Sequence, residues 1–234
     1  RNPKKIGINM SKYFALADGL VKTEYDELFE NLPTAYQNKL VSAEKLGIAW
    51  IETRTAMELV LFRKLVKTTH DIIDEAFSTK VIKPGKTTTE DVIWFMRQKV
   101  TDLGLETWFH PTVDVQRDAE ALKSHIASFS KTEKEKTIQK GDLLHCDFGI
   151  TYVGLNTDCQ QHAYVLKDDE NEVPIFLKEA FKKGNRVQDI LTSNMRVGLT
   201  GNEILKSALI QGRKEGLIPS IYTHPLGKYG HSAG

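Results

Sequence analysis

The chain has 234 residues, of which 40% are apolar and 27% are charged, the composition of an ordinary globular protein. Its 32 basic and 31 acidic side chains give a net charge of +1, so no excess of either sign favours nucleic acid or an anionic membrane as a partner. No apolar run approaches the roughly 20 residues of a membrane-spanning helix. We therefore expect neither nucleic acid nor a membrane as a partner.

The sequence also bears on the cellular location. It shows no signal peptide, and we expect a cytoplasmic location. Because the chain opens with Arg1 rather than Met, a removed export signal stays open as the alternative. Cys146 and Cys159 lack a C-x-x-C spacing, and we interpret them as buried free thiols that could face one another across a hairpin.

The first 50 residues carry no pattern that points to chemistry. A strand is predicted over 5–9, an amphipathic helix over 24–32, and a second helix over 40–46. A long amphipathic helix is then predicted over 54–77, because its apolar residues recur at intervals of three and four.

One arrangement of helices occurs twice in the rest of the chain. A long amphipathic helix leads to a glycine-threonine turn and a second helix, which in the first unit opens after Gly85 with Thr87 and Glu90 spaced as a capping box. A His-Pro strand follows, with His110 in the first unit and His224 in the second. The repeat predicts an α+β domain with pseudo-twofold symmetry, in which helices cover the outer face of a curved antiparallel sheet. Chance similarity of two helix pairs is the alternative.

Residues 141–166 are predicted to form a β-hairpin with an acidic residue in each strand. If the turn is centred on Tyr152-Val153, Asp147 lies directly opposite Asp158, with the two Cβ atoms roughly 5 Å apart. Two carboxylates held this close on a half-buried sheet repel each other unless a proton or a cation lies between them. A divalent metal site would resolve the repulsion, and two unrelated acids at strand ends are the alternative.

His231 is a further candidate near the end of the chain. It lies among small residues, so a ligand could approach it closely. A neutral imidazole beside two carboxylates suits Zn, Mn, Co or Fe. His231 is therefore the candidate third metal ligand.

Three motifs together resemble the methionine aminopeptidase/prolidase metallopeptidase family: a GD-hydrophobic-DxG strand containing Asp147, a second aspartate eleven positions on, and GHxxG around His231. The resemblance implies the pita-bread fold, shared with creatinase, for a catalytic domain over 51–234. It also implies that 1–50 is the C-terminal remnant of a creatinase-like N-terminal domain. Methionine aminopeptidases lack that domain, so the resemblance favours the Xaa-Pro aminopeptidase and Xaa-Pro dipeptidase branch.

The same resemblance implies a reaction. Asp147 would bind one of two divalent metals, Asp158 would bridge both, and His231 would be the histidine ligand. Mn is the expected metal, with Co or Zn as alternatives. A hydroxide between the metals would attack the bond between an N-terminal residue and a following proline, so the expected partner is a peptide with proline at its second position. Proline-specific relatives are often dimers, which makes a homodimer the expectation.

Histidines complete the implied site. His224 or His125 would stabilise the tetrahedral intermediate, although His125 could instead be a loop residue, and His110 would line the substrate cleft. Two alternatives stay open. One is a non-catalytic binding protein on the same fold, and the other is a metal-free hydrolase of the creatinase type.

The family completes its metal site with two glutamates downstream of GHxxG. No glutamate within residues 1–234 lies in a matching context. We expect that the sequence is truncated at both ends, so that the catalytic domain is incomplete at its C-terminal end. A homologue that has lost the site is the alternative.

Overall fold

The computed structural model describes residues 2–117 and 135–221. Within these ranges the α-helices are α1 (Lys22–Asn31), α2 (Thr34–Gln37), α3 (Glu44–Glu52), α4 (Ala56–Ala76), α5 (Thr89–Asp102), α6 (Ile175–Asn194) and α7 (Gly201–Lys214). The strands are β1 (Ile6–Ile8), β2 (Leu40–Ser42), β3 (Glu106–Thr107), β4 (Thr112–Gln116), β5 (Leu143–Phe148), β6 (Ile150–Tyr152), β7 (Leu155–Asn156) and β8 (Cys159–Tyr164). None of the helices in the described ranges has both the length and the apolar character needed to cross a membrane.

A small parallel sheet organises the N-terminal part of the chain. Strands β1 and β2 pair with Ile6 opposite Leu40. The helix predicted over 40–46 is therefore wrong in its first half, because the start of that segment is extended and pairs with a strand far away in the sequence. Helix α3 begins at Glu44 and crosses residue 50, the predicted domain boundary. The division into 1–50 and 51–234 stays a prediction.

Three of the longer helices begin with a capping box, in which a threonine and an acidic residue bind each other's backbone amide. The pairs are Thr55 with Glu58, Thr88 with Asp91, and Thr200 with Glu203. The predicted pair of Thr87 with Glu90 is wrong by one residue. The Thr87 hydroxyl instead accepts from Lys83 N and donates to Val81 O, which closes the preceding turn.

The predicted repeat is visible in the two helix pairs. Helices α5 and α7 both have 14 residues, and each follows a longer helix. The two longer helices also match one another in length, since α4 has 21 residues and α6 has 20. Both end before a glycine of positive φ, 67° at Gly104 and 75° at Gly216. In both, the amide after that glycine donates to a carbonyl five residues earlier at 3.0 Å. The same local structure is thus used twice.

The predicted hairpin is divided between two antiparallel sheets. Strands β5 and β8 join β4 in the order β4-β5-β8, whereas β6 and β7 join β3 in the order β3-β6-β7. The change of sheet occurs at Gly149. A Cβ atom there would lie 2.1 Å from Thr157 O, 2.4 Å from Trp108 Nε1 and 2.7 Å from Phe109 Cε1. No side chain fits at this bend.

The hairpin turn is Val153-Gly154, one residue later than predicted. Both residues have positive φ, 46° and 79°, as a two-residue type I′ turn requires. Moving the centre of a hairpin by one residue shifts the pairing by two. Asp147 therefore lies opposite Gln160, and the prediction that it lies directly opposite Asp158 is wrong. A shift of two residues preserves the face, so the two aspartates still share one side of the hairpin.

One face of the β4-β5-β8 sheet packs against α4 and α5 to form the core. Its buried side chains include Val113, Val115, Leu144, Cys146 and Phe148 from the strands and Ile72, Ile73, Val92 and Met96 from the helices. A buried hydroxyl pair also joins the layers, because Thr69 Oγ1 on α4 lies 2.8 Å from Thr157 Oγ1. Since side chains alternate along a strand, the polar residues of these strands lie on the opposite face.

Both cysteines are buried free thiols, as predicted. They do not face one another directly, because Cys146 pairs with Gln161 and Cys159 pairs with Phe148. Burial raises the pKa of Cys146 to about 12 and that of Cys159 to about 11. Neither thiol is therefore a nucleophile at neutral pH.

Candidate metal centre

Polar side chains occupy the face of the β4-β5-β8 sheet that points away from the core. They form two rows across the strands, Asp114 with His145 and His162, and Thr112 with Asp147 and Gln160. Asp158 follows on the same face, at the bend just before β8. The three carboxylates and the absence of Lys or Arg from these rows make the face attractive to a cation.

Asp147 lies beside a second carboxylate, and the charge of His145 offsets their repulsion only in part. Burial, the neighbouring charge of Asp158 and a hydrogen bond with Asp158 together raise the pKa of Asp147 to about 6. Among the side chains of the described residues, Asp147 Oδ1 is the buried oxygen without a hydrogen-bond partner. Its other oxygen, Oδ2, accepts from Gln160 Nε2 at 3.4 Å. The pair of close carboxylates therefore leaves one buried oxygen, Asp147 Oδ1, available to a cation.

A buried histidine lies beside this pair. His145 Nε2 is 3.0 Å from Gln160 Oε1, and His145 Nδ1 is 3.7 Å from Asp114 Oδ2. Its ring centroid lies 4.9 Å from that of His162, which in turn packs edge-on against Phe181 of α6. Burial acts to lower the pKa of His145, but the interactions with Asp114 and Gln160 and the charge of Asp147 together raise it.

The structure brings together some of the predicted site residues and leaves others untested. Asp147 and Asp158 interact directly. His110 lies against the helix layer, with its Nδ1 2.8 Å from Arg97 Nη1 on α5, and its assignment to the substrate cleft stays a prediction. The predicted residues His125, His224 and His231 lie outside the described ranges, and their roles stay predictions.

The sequence analysis assigned no role to His145 or Gln160, although alternation along each strand puts both on the face of the two aspartates. The signal was their spacing, since each lies two residues from a predicted ligand. Asp114 was missed altogether, because it reaches the face from β4, and the pairing of β4 with β5 spans 31 positions between Asp114 and His145. No local pattern reports such a pairing.

The carboxylate pair fits a divalent metal. A cation between the carboxylates would bind the orphaned Asp147 Oδ1 and offset the repulsion that raises the pKa of Asp147. Within residues 2–117 and 135–221, no cluster of three or more His, Cys, Asp or Glu side chains is arranged to hold a metal. If Asp147 and Asp158 bind a metal, a third ligand, such as the predicted His231, would come from outside these ranges.

Comparison with solved structures identifies the fold. The X-Pro aminopeptidase of Thermotoga maritima superposes with a TM-score of 0.59 at 16% identity, covering 81% of this chain and 50% of its own. The prolidase of Thermococcus sibiricus gives a TM-score of 0.54 at 16% identity, covering 83% of this chain and 48% of its own. Aminopeptidase P of Escherichia coli gives a TM-score of 0.57 at 15% identity, covering 91% of this chain and 46% of its own. The α+β pita-bread prediction is confirmed.

Sequence comparison agrees with the fold. The chain spans about half the length of the solved structures it matches. A search of curated protein sequences gives no match. The model of metallopeptidase family M24 matches residues 61–234, which include the carboxylate pair, all but the first turn of the repeated helix pairs, and both sheets of the hairpin. This chain therefore belongs to metallopeptidase family M24.

Proposed function

We propose that the protein is a metal-dependent peptidase that cleaves the bond between an N-terminal residue and a following proline. The observation that carries the proposal is the Asp147–Asp158 pair, with its orphaned buried oxygen, on the scaffold of an M24 metallopeptidase. The Xaa-Pro branch is favoured because the matched structures are X-Pro aminopeptidases and a prolidase. Either an Xaa-Pro aminopeptidase or an Xaa-Pro dipeptidase satisfies the proposal.

The protein residues hold the metals and stabilise charge. Two divalent metals, when bound, supply an acidified water as nucleophile and polarise the carbonyl oxygen of the scissile bond. Asp147 would be a ligand of one metal, and Asp158 would be a ligand of both. His231 would be the third ligand. His224 or His125 would donate a hydrogen bond to the negative charge that develops on the substrate oxygen.

The remaining features of the function belong to the same proposal. We assign Mn as the metal, a peptide with proline at its second position as the substrate, and His110 to the substrate cleft. A homodimer in the cytoplasm is the proposed setting.

The decisive experiment compares Asp147→Asn and Asp158→Asn with the wild type. The purified protein is loaded with Mn²⁺, its bound metal is measured, and hydrolysis of an Xaa-Pro peptide is followed beside an Xaa-Ala peptide of the same length. Both variants should lose metal, and their activity on the Xaa-Pro peptide should fall about 100-fold or more. Asp169→Asn, which removes an exposed carboxylate just after β8, should retain both properties.

Other results would assign the protein differently. Metal content and activity retained in both aspartate variants would refute the metal centre. Activity that survives a strong chelator would indicate a metal-free hydrolase of the creatinase type. A wild-type protein that binds no divalent metal and cleaves no peptide would indicate a non-catalytic binding protein on the same fold.

A further inference from the structure

A chain of polar contacts runs along the sheet face towards Asp147. Its members are Asp114 on β4, His145 on β5 and Gln160 on β8. Asp114 Oδ2 lies 3.7 Å from His145 Nδ1, and His145 Nε2 lies 3.0 Å from Gln160 Oε1. The amide of Gln160 then donates from Nε2 to Asp147 Oδ2 at 3.4 Å. The contacts link three strands and end on a carboxylate that the proposed function assigns to the metal.

The direction of the hydrogen bonds in this chain is determined by chemistry. The Gln160 amide has one donor end and one acceptor end. An ionised carboxylate has no proton to donate, so its oxygens act only as hydrogen-bond acceptors. Reversing the amide would turn Gln160 Oε1 towards Asp147 and set two acceptors against each other. The NH₂ group therefore faces Asp147, and the amide oxygen faces His145. It follows that His145 carries a proton on Nε2.

Burial explains how a side chain at the surface can be held still. The Gln160 side chain is exposed, and an exposed glutamine ordinarily samples several rotamers. His145 is only 9% exposed, and its ring is confined between Asp114 on one strand and His162 on the other. A fixed imidazole can therefore anchor the amide oxygen of Gln160, which fixes the direction of its NH₂ group.

We infer that Gln160 and His145 are positioning residues for the metal centre: together they orient the Asp147 carboxylate so that Oδ1 points to the metal while Oδ2 is held by the amide. The inference rests on the metal site of the proposed function and adds two residues to it. Hydrogen bonds to the outer oxygen of a carboxylate ligand are the usual means of fixing its orientation, and losing such a bond costs about 10–100-fold in metal affinity. Asp114 completes the set by holding the ring of His145.

The test measures metal affinity in Gln160→Leu, with Gln161→Leu as the matched control. The two substitutions are chemically identical and adjacent on β8, but Gln161 points to the opposite face of the sheet. Binding of Mn²⁺ and Co²⁺ to the purified protein is measured by titration calorimetry, and the visible absorption of bound Co²⁺ reports the ligand geometry. Gln160→Leu should bind both metals about 10–100-fold more weakly and alter the Co²⁺ spectrum, whereas Gln161→Leu should leave both unchanged.

A second comparison separates positioning from folding. His145→Phe keeps a ring of similar size in the same place but removes the contact with the amide oxygen. It should weaken metal binding through Gln160 alone. The double variant, with His145→Phe and Gln160→Leu together, should therefore bind the metal no more weakly than Gln160→Leu by itself. The thermal unfolding of the metal-free Gln160→Leu protein should match that of the wild type, because the side chain is exposed and lies outside the core.

The possible outcomes distinguish this inference from the proposed function. A Gln160→Leu protein with wild-type affinity and an unchanged Co²⁺ spectrum would overturn the positioning role and leave the metal centre standing. Fully additive losses in the double variant would overturn the coupling of His145 to Gln160. A wild-type protein that binds neither metal would refute the metal centre itself, and the positioning role with it.

Discussion

Replacing Gly149 by alanine should destabilise the protein strongly. The added Cβ would lie 2.1 Å from Thr157 O and 2.4 Å from Trp108 Nε1, and these two atoms form a hydrogen bond of 2.7 Å. The methyl group would therefore stand between a donor and its acceptor. Thr157 O is a backbone atom, so it cannot move away without displacing the chain around it.

The expected cost follows from two separate effects. Forcing an extra carbon into a packed interior costs about 1–3 kcal/mol, and leaving the Thr157 carbonyl without its donor costs about 1–3 kcal/mol more. We therefore expect a loss of about 2–6 kcal/mol in the free energy of unfolding, which is a large part of the 5–15 kcal/mol typical of a domain. Urea unfolding followed by tryptophan fluorescence and circular dichroism would measure it.

Gly184→Ala is the matched control, because a Cβ at this exposed position in helix α6 meets no atom within 4 Å. It should stabilise the protein by about 0.5–1 kcal/mol, the ordinary gain of alanine over glycine within a helix. A Gly149→Ala protein that unfolds within about 0.5 kcal/mol of the wild type would refute the close packing at the bend.

Three further predictions concern charge and reactivity. Asp142→Asn should lower the free energy of unfolding, measured by urea titration, by about 1–3 kcal/mol. The fully buried Asp142 carboxylate accepts two hydrogen bonds from Arg117, at 2.7 and 2.9 Å, and the half-exposed Arg117 side chain remains solvated when they are lost. Because the pKa of Asp147 is raised to about 6, the metal-free protein should lose stability as the pH rises from about 4 to 6. Asp147→Asn should abolish that loss. Unfolding of chelator-treated samples at several pH values would measure it. Cys146 and Cys159 should resist a thiol reagent until the protein unfolds.

Local patterns predicted the helices well. The amphipathic periodicity of α4 and the recurring glycine-threonine turns before α5 and α7 are properties of a few neighbouring residues. The structure places α4 within two residues of its predicted bounds at both ends. The capping box of α5 was misplaced by one residue because Thr87, Thr88 and Thr89 are consecutive. Any of the three could cap a helix, and the contacts of Thr87 with Lys83 and Val81 in the preceding turn leave the cap to Thr88.

Pairing across strands was harder to predict. The Asp147–Asp158 register depended on the turn, and a β-branched residue with positive φ at Val153 is uncommon enough that a turn centred one residue earlier was the reasonable prediction. Alternation along the strands survived the error, so the two aspartates were still correctly placed on one face. The contribution of Asp114 depended on a strand paired from outside the hairpin.

In the buried hydroxyl pair between α4 and the hairpin, the other hydrogen bonds determine which threonine is the donor. Thr69 donates its single proton to Leu65 O at 2.9 Å, so Thr157 must donate to Thr69, and Thr157 Oγ1 then accepts from the amide of Ile150 at 3.0 Å. That amide can exchange with deuterium only when its hydrogen bond to Thr157 opens. The exchange rate of one backbone proton therefore reports how often the bend beside the two carboxylates opens in the folded protein.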